Sequence, residues 1–206
     1  MKVLLINGSP KANGNTAFAL QQMEEVFQSE GIETEIIHVG NQLIRGCVAC
    51  GGCYDLGKCV FDDLVNETAI KLADADGMVL GSPVYYASPN GSLISFLDRL
   101  FYSSGKVDKR MKVGASVVVA RRGGCSASMD VLNKYFTISQ MPVASSTYWN
   151  IIHGSKPGEA AQDAEGIRTV RNLAKNMSFM MRAVALGKKA AGLPEMEKRV
   201  FTNFIR

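Results

Sequence analysis

Residues 2–16 read KVLLINGSPKANGNT. Val3 to Ile6 is a short, unbroken apolar run closed at once by turn residues, the pattern of a strand covered on both faces. Thr16, Leu20, Met23 and Phe27 then recur at helical spacing, and Gly31 is a good stop for that helix. A buried strand, a loop of small residues and a helix, in that order, open an α/β fold.

The rest of the chain repeats the unit. Thr34 to Val39 reads as a second strand, and Asp62 or Asp63 caps a helix with Val65, Ala69 and Leu72 on one face. Gly77 to Gly81 predicts a third strand, followed by a helix marked by Leu93, Leu97, Leu100 and Phe101. Val113 to Ala120 is the most strand-like segment, and Val131, Tyr135 and Ile138 follow at helical spacing. Pro142 to Ile152 holds a fifth, less regular strand; Val170, Ala174, Met177, Met181 and Val184 stripe a long last helix. Five strands alternating with five helices predict right-handed crossovers and a parallel sheet with helices on both faces.

Composition supports one folded domain. A chain of 206 residues can bury a sizeable core, and 47% hydrophobic with 20% charged residues is ordinary for a globular protein. The net charge of +4 is too mild to point to nucleic acid. The apolar start is shorter than a secretory core, and no run approaches the ~20 apolar residues that span a bilayer. The expectation is a cytoplasmic protein, with no membrane or nucleic-acid partner, whose thiols stay reduced. Residues 188–206 look like an appended tail, and Val200, Phe201, Phe204 and Ile205 suit packing onto something else, such as another subunit.

In doubly wound sheets ligands bind beyond the carboxyl ends of the strands. The first such loop, Asn7 to Thr16, supplies hydroxyls at Ser9 and Thr16, amides at Asn13 and Asn15, and one cation at Lys11. Together with the amides of a helix start, these make a phosphate cradle. The loop lacks the signatures of nucleoside-triphosphate and dinucleotide sites; a glycine-rich turn and helix cap without a ligand is the bland alternative. After the third strand, GSPVYYASPNGSLISFLDR (residues 81–99) offers Tyr85 and Tyr86 as aromatic faces on a loop stiffened by Pro83 and Pro89. After the fourth, Gly123 and Gly124 allow close approach of a planar ligand, and Arg121 or Arg122 could face its electron-rich edge. Taken singly, each of these residues is equally an ordinary loop residue.

The two stretches INGSPKANGNT and GSPVYYASPNGSLISFLDR together resemble the NADPH-dependent FMN reductase group of the flavodoxin-like superfamily, over about residues 1–185. Lys11 stands where that family usually has arginine, and Ile94 where it often has lysine. The resemblance implies a flavodoxin-like α/β fold, a doubly wound five-stranded parallel sheet in the order 2-1-3-4-5, in a domain of residues 1–187. It implies FMN, with Ser9, Lys11, Asn13, Asn15 and Thr16 about the phosphate. Pro83, Val84, Tyr85 and Tyr86 would line the ribityl chain and ring, and Ala120, Arg121, Gly123 and Gly124 the ring's other edge. NAD(P)H would be the transient donor, a small molecule the acceptor, and the assembly a homodimer or homotetramer. The chemistry belongs to the flavin, and no side-chain acid or base is evident; His38 and His153 read as structural.

One loop remains, residues 45–60, where RGCVACGGCYDLGKC (45–59) packs four cysteines into fifteen residues. A reduced compartment disfavours a disulfide framework. Cys47, Cys50 and Cys53, spaced by two residues, can grip three corners of a cubane cluster, and Cys59 is near enough to complete the set. Zinc, which more often takes two separated CxxC pairs, and free or mutually oxidised thiols stay open. Because the second strand lies beside the first, the thiolates are expected to converge near the FMN site. The compact pattern resembles the iron-sulfur flavoproteins, a branch of the same group that carries a [4Fe-4S] cluster beside FMN. That implies an oxidoreductase moving electrons through both centres. The alternatives are a carrier between ferredoxin-like partners and a plain NAD(P)H reductase without a cluster.

Overall fold

The computed structural model describes residues 1–198, 200–202, 204 and 205. Arg199, Asn203 and Arg206 of the expected tail lie outside the described residues. In chain order the elements are β1 (Lys2–Asn7), α1 (Asn15–Ser29), β2 (Glu33–His38), α2 (Cys53–Leu56), α3 (Leu64–Asp74), β3 (Gly77–Tyr85) and β4 (Ser88–Pro89). Then follow α4 (Gly91–Ser103), β5 (Val113–Ala120), α5 (Cys125–Ile138), β6 (Ile151–His153), a 3-10 turn (Glu159–Gln162) and α6 (Ala164–Ala191).

β1 lies between β2 and β3, its four apolar residues are fully buried, and the pleat sends alternate side chains to opposite faces. Val3 and Leu5 join Leu20, Met23 and Phe27 of α1 and Val170, Leu173 and Met177 of α6 on one side. Leu4 and Ile6 join Leu72 of α3, Phe96 and Leu100 of α4 and Phe136 of α5 on the other. Two cores on one sheet are what the double winding requires. Among the described residues no helix is long and apolar enough to cross a membrane.

The doubly wound parallel α/β sheet is present, with two corrections to its detail. Among the described residues the sheet has six strands, not five. Its path runs β2-β1-β3-β5-β6, with the two-residue β4 pairing antiparallel to the end of β3. The extra strand arises because Tyr86 and Ala87 adopt positive φ angles of 51° and 57° and fold the chain back on β3. Second, the last strand of the sheet is only Ile151–His153; of the expected Pro142–Ile152 segment, Val143 makes a single bridge to Gly114.

α5 also turns a different face inward. Leu132 and Phe136 are buried, whereas Ile138 at the end of the expected stripe is exposed. In α6 the expected stripe holds: Val170, Ala174, Met177 and Met181 are buried, and Val184 packs half-buried against the same core.

Candidate functional site

The loop after β1 is pinned on three sides. The Gly8 amide donates to the Gly81 carbonyl at 2.8 Å, the Ser9 amide to Asn7 Oδ1 at 3.0 Å and the Lys11 amide to Ser9 Oγ at 3.2 Å. His38, at the end of β2, places Nε2 2.7 Å from the Ser9 carbonyl. A carbonyl can only accept, so Nε2 carries the hydrogen. Gly40 lies against the same backbone: a Cβ there would stand 2.2 Å from the Ser9 carbonyl carbon and oxygen. Only glycine permits that approach.

α1 then begins at Gly14 with no side-chain cap and no acid in its first turn. Asp63, Asn90 and Asp163 cap α3, α4 and α6 with their own side chains, whereas α2 and α5, like α1, start at glycines without one. An uncapped start leaves the first amides of α1 for an external acceptor, and its dipole favours a negative one.

Those amides open into a cleft of about 260 Å³ at the carboxyl ends of the strands. Ser9, Lys11, Asn15 and Thr16 line one side, Pro83, Val84 and Tyr85 another, and Ala120 with Arg121 a third. Nine residues expected at the site from sequence are therefore brought together. Among the described residues no Asp or Glu lines the cleft. Asn13, Tyr86, Gly123 and Gly124 do not line it. Tyr86 points its whole ring to solvent. Gly124 takes a left-handed φ of 84° to start α5, where a Cβ would press on Ala87 at 2.8 Å.

Gly154, Ser155 and Pro157, from the loop after β6, also line the cleft and were not anticipated. Their signal was present: a Gly-Ser pair with a nearby proline follows β6, as Gly8-Ser9-Pro10 follows β1 and as Gly81-Ser82-Pro83 lies in β3. Asn15 ties this loop down, donating from Nδ2 to the Lys156 carbonyl at 3.0 Å and accepting the Ala160 amide at 3.4 Å. Its side-chain amide is spent within the chain, unlike its backbone N–H. Glu159 closes the loop from outside, its carboxyl held below the usual range by the Lys156 and Ser155 amides.

The cysteine loop leaves β2 beside the cleft but does not stay there. Cys47, Cys50, Cys53 and Cys59 all line one pocket, walled by Val48, Val60 and Phe61 and by Arg99, Tyr102 and Ser103 of α4. Arg99 lies nine residues, about 14 Å at helical rise, beyond the Asn90 cap of α4. The thiols do converge, on a pocket that shares no residue with the cleft and lies along the far half of α4.

Side chains of α3 and α4 hold the loop there. Asn66 accepts the Cys59 amide at 2.9 Å and donates to the Cys59 and Phe61 carbonyls at 3.0 and 3.2 Å. The buried Arg99 guanidinium grips Asp63 through Nη1 at 2.7 Å and Nη2 at 3.0 Å, and it lies over the Phe61 ring, as Arg45 does. Its Nε and Nη2 both donate to Cys59 Sγ at 3.2 Å. The Tyr54 hydroxyl bonds that of Tyr102, and this contact raises the Tyr102 phenol above its ordinary range. Asn66, Arg99, Tyr102 and Ser103 were not read as site residues; only Arg99 carried a signal, in the Asp98-Arg99 end of the second motif.

All four thiols are free of disulfides; Cys47 and Cys50 are exposed, and Cys53 and Cys59 half-buried. Among the described residues no three His, Cys, Asp or Glu side chains are grouped to hold a single metal ion. A lone zinc would need its sulfurs about 3.8 Å apart, from a Zn–S distance near 2.3 Å. Four thiols around one apolar pocket, with a guanidinium aimed at one sulfur, suit a centre whose thiolates sit on separate metal atoms. The pocket encloses about 20 Å³, room for a single water, so such a centre requires the exposed arm of the loop to move outward.

Comparisons with known proteins agree with this layout. The model of the NADPH-dependent FMN reductase family matches residues 1–156. An iron-sulfur flavoprotein of Methanocaldococcus jannaschii is 33% identical over 191 residues, covering 89% of this chain and 99% of its own. One from Archaeoglobus fulgidus is 31% identical over 205 residues, with 97% and 98% covered. Among solved structures, an archaeal flavodoxin superposes with a TM-score of 0.55 at 16% identity, over 86% of this chain and 99% of its own. That likeness makes the fold flavodoxin-like.

Proposed function

We propose a function from one premise: this chain belongs to the NADPH-dependent FMN reductase family. Membership makes it an FMN-dependent oxidoreductase. We infer further that the cleft is where FMN sits, with its phosphate at the start of α1. The open amides there, the Ser9 and Thr16 hydroxyls and the Lys11 ammonium would hold the phosphate. Pro83, Val84 and Tyr85 would wall the ring on one side, and Ala120 and Arg121 on the other. Tyr86, Asn13, Gly123 and Gly124 would act by shaping these loops. FMN, when bound, supplies hydride and single-electron transfer. The chain's own work is to neutralise the phosphate without a competing carboxylate, to hold the ring flat and to exclude water from one face.

The observation that carries this reading is the uncapped α1 start, free of acids and facing a cleft edged with hydroxyls. In it NAD(P)H is the donor, a small molecule the acceptor, the compartment cytoplasmic and the assembly a homodimer or homotetramer. Exposed Leu186, Met196 and Val200 near the end of the chain support the last point. Residues 1–187 would be the folded unit and residues 188–206 the segment that reaches another subunit.

We infer also that Cys47, Cys50, Cys53 and Cys59 hold a [4Fe-4S] cluster, which would supply one-electron transfer. The donor set fits, and so does the buried Ser103 hydroxyl, which lines the pocket without a partner. The relatives named iron-sulfur flavoproteins favour the same choice over zinc. Exposure of Cys47 and Cys50 favours a second role, exchange of single electrons with a ferredoxin-like protein at this surface.

Anaerobic purification followed by iron, acid-labile sulfide and FMN analysis tests both centres. One FMN and about four irons per chain are expected. Addition of NADPH or NADH should then bleach the flavin absorbance within seconds. Protein that binds no FMN sinks the reading. Bound FMN that only a reduced ferredoxin can bleach turns the enzyme into a carrier.

A further inference from the structure

We propose that Arg99 and Ser103 form a hydrogen-bonding wall that raises the reduction potential of the cluster held by the four cysteines; this rests on the cluster reading above. The two residues stand four apart on α4, so they share one face, and both line the cysteine pocket.

Arg99 is nearly sealed from solvent, at 1% exposure. Its orientation does not depend on Cys59: Asp63 takes both Nη atoms, the Phe61 carbonyl accepts from Nη2 at 3.1 Å and the Arg45 carbonyl from Nη1 at 3.4 Å. One N–H, at Nε, is left wholly to the Cys59 sulfur, which also shares the two Nη2 hydrogens with Asp63 and Phe61. A guanidinium pre-set by other partners keeps its aim when the charge on that sulfur changes.

Ser103 gives the independent observation. Other buried serines near helix ends or within helices spend their hydroxyls on the carbonyl four residues back: Ser104 on Leu100 at 2.5 Å, Ser128 on Gly124 at 2.9 Å and Ser178 on Ala174 at 2.8 Å. Ser103 does not. Among the described residues its Oγ is one of two buried side-chain polar atoms with no hydrogen-bond partner. A buried hydroxyl left open in an otherwise apolar pocket points to an acceptor that the chain does not supply.

The consequence follows from charge. Taking up one electron makes the cluster and its thiolates one unit more negative, with no bond made or broken and no proton required. Donors to the sulfurs therefore interact more strongly with the reduced form, and the low local dielectric enlarges the difference. Loss of either donor lowers the potential.

Ser103→Ala and Arg99→Lys, purified anaerobically as full chains, test this by mediated titration with dithionite as reductant and electron paramagnetic resonance as readout. Ser103→Ala should carry wild-type iron and sulfide yet a lower midpoint potential. Its metal-free form should melt at the same or a higher temperature, because an unsatisfied buried hydroxyl has gone. Arg99→Lys should shift the reduction equilibrium tenfold or more, about 59 mV for one electron. Loaded variants at the wild-type potential would overturn the proposal and leave both residues as loop braces. If Arg99→Lys fails to load, Ser103→Ala decides alone. Wild-type protein that binds no iron and sulfide overturns the cluster reading itself, and this proposal with it.

Discussion

The cleft and the cysteine pocket share no lining residue, and they are built by opposite means. The cleft is made by loops leaving β1, β3, β5 and β6, each starting from a paired strand and stitched to its neighbour. The Gly8 amide bonds the Gly81 carbonyl, and the Gly154 amide bonds the Ala120 carbonyl at 3.0 Å. Its position is a property of the sheet, at the point where strand order reverses. The pocket is made by one loop with a single helical turn, held by the side chains of Asn66, Asp63 and Arg99. About 260 Å³ stands open in the first and about 20 Å³ in the second. The sheet holds the first site open by itself; the second stands nearly closed.

That contrast can be broken. Cys50→Ser should abolish iron incorporation while FMN affinity stays within about twofold, by metal analysis and flavin-fluorescence titration. Parallel loss of FMN would show that the two sites are not separable. Gly40→Ala attacks the other side. A methyl 2.2 Å from the Ser9 carbonyl forces the phosphate loop away, and FMN should bind a hundredfold more weakly, about 2.7 kcal/mol, with iron retained.

Asn15→Ala sharpens the picture. It removes the bond to the Lys156 carbonyl and slackens only the β6 wall of the cleft. The cost is about 1 kcal/mol, near fivefold in FMN affinity by the same titration. Arg110→Ala is the remote control and the smallest effect. The Arg110 side chain holds the Asp108 carboxyl down at about 2. A depressed carboxyl stabilises the fold above its unfolded pKa, near 4, and that contribution is lost as pH falls from there through about 2. The variant should therefore unfold in acid at slightly higher pH, by circular dichroism, with both sites intact at neutrality.

The contrast also explains what was legible in the sequence. β1 and the cleft loops announce themselves locally, as short apolar runs stopped by Gly, Ser and Pro. The β6 wall was missed because residues 142–150 form no regular strand, which blurred where the fifth turn begins. On α5 the period was right and the phase wrong: Val131 and Tyr135 neighbour the truly buried Leu132 and Phe136. The cysteine spacing singled out the four thiols but not where they gather. The contacts that place them, Arg99 to Cys59 and Arg99 to Asp63, join residues 40 and 36 positions apart, which no local pattern records.

The uncapped beginning of α1 has a practical side. Its amides respond to negative charge and take no account of the molecule that bears it. Sulfate or inorganic phosphate in a purification buffer would occupy the same spot. Reconstitution with flavin should therefore go further in Tris than in phosphate-buffered solution, and the choice of salt will govern how yellow the protein looks.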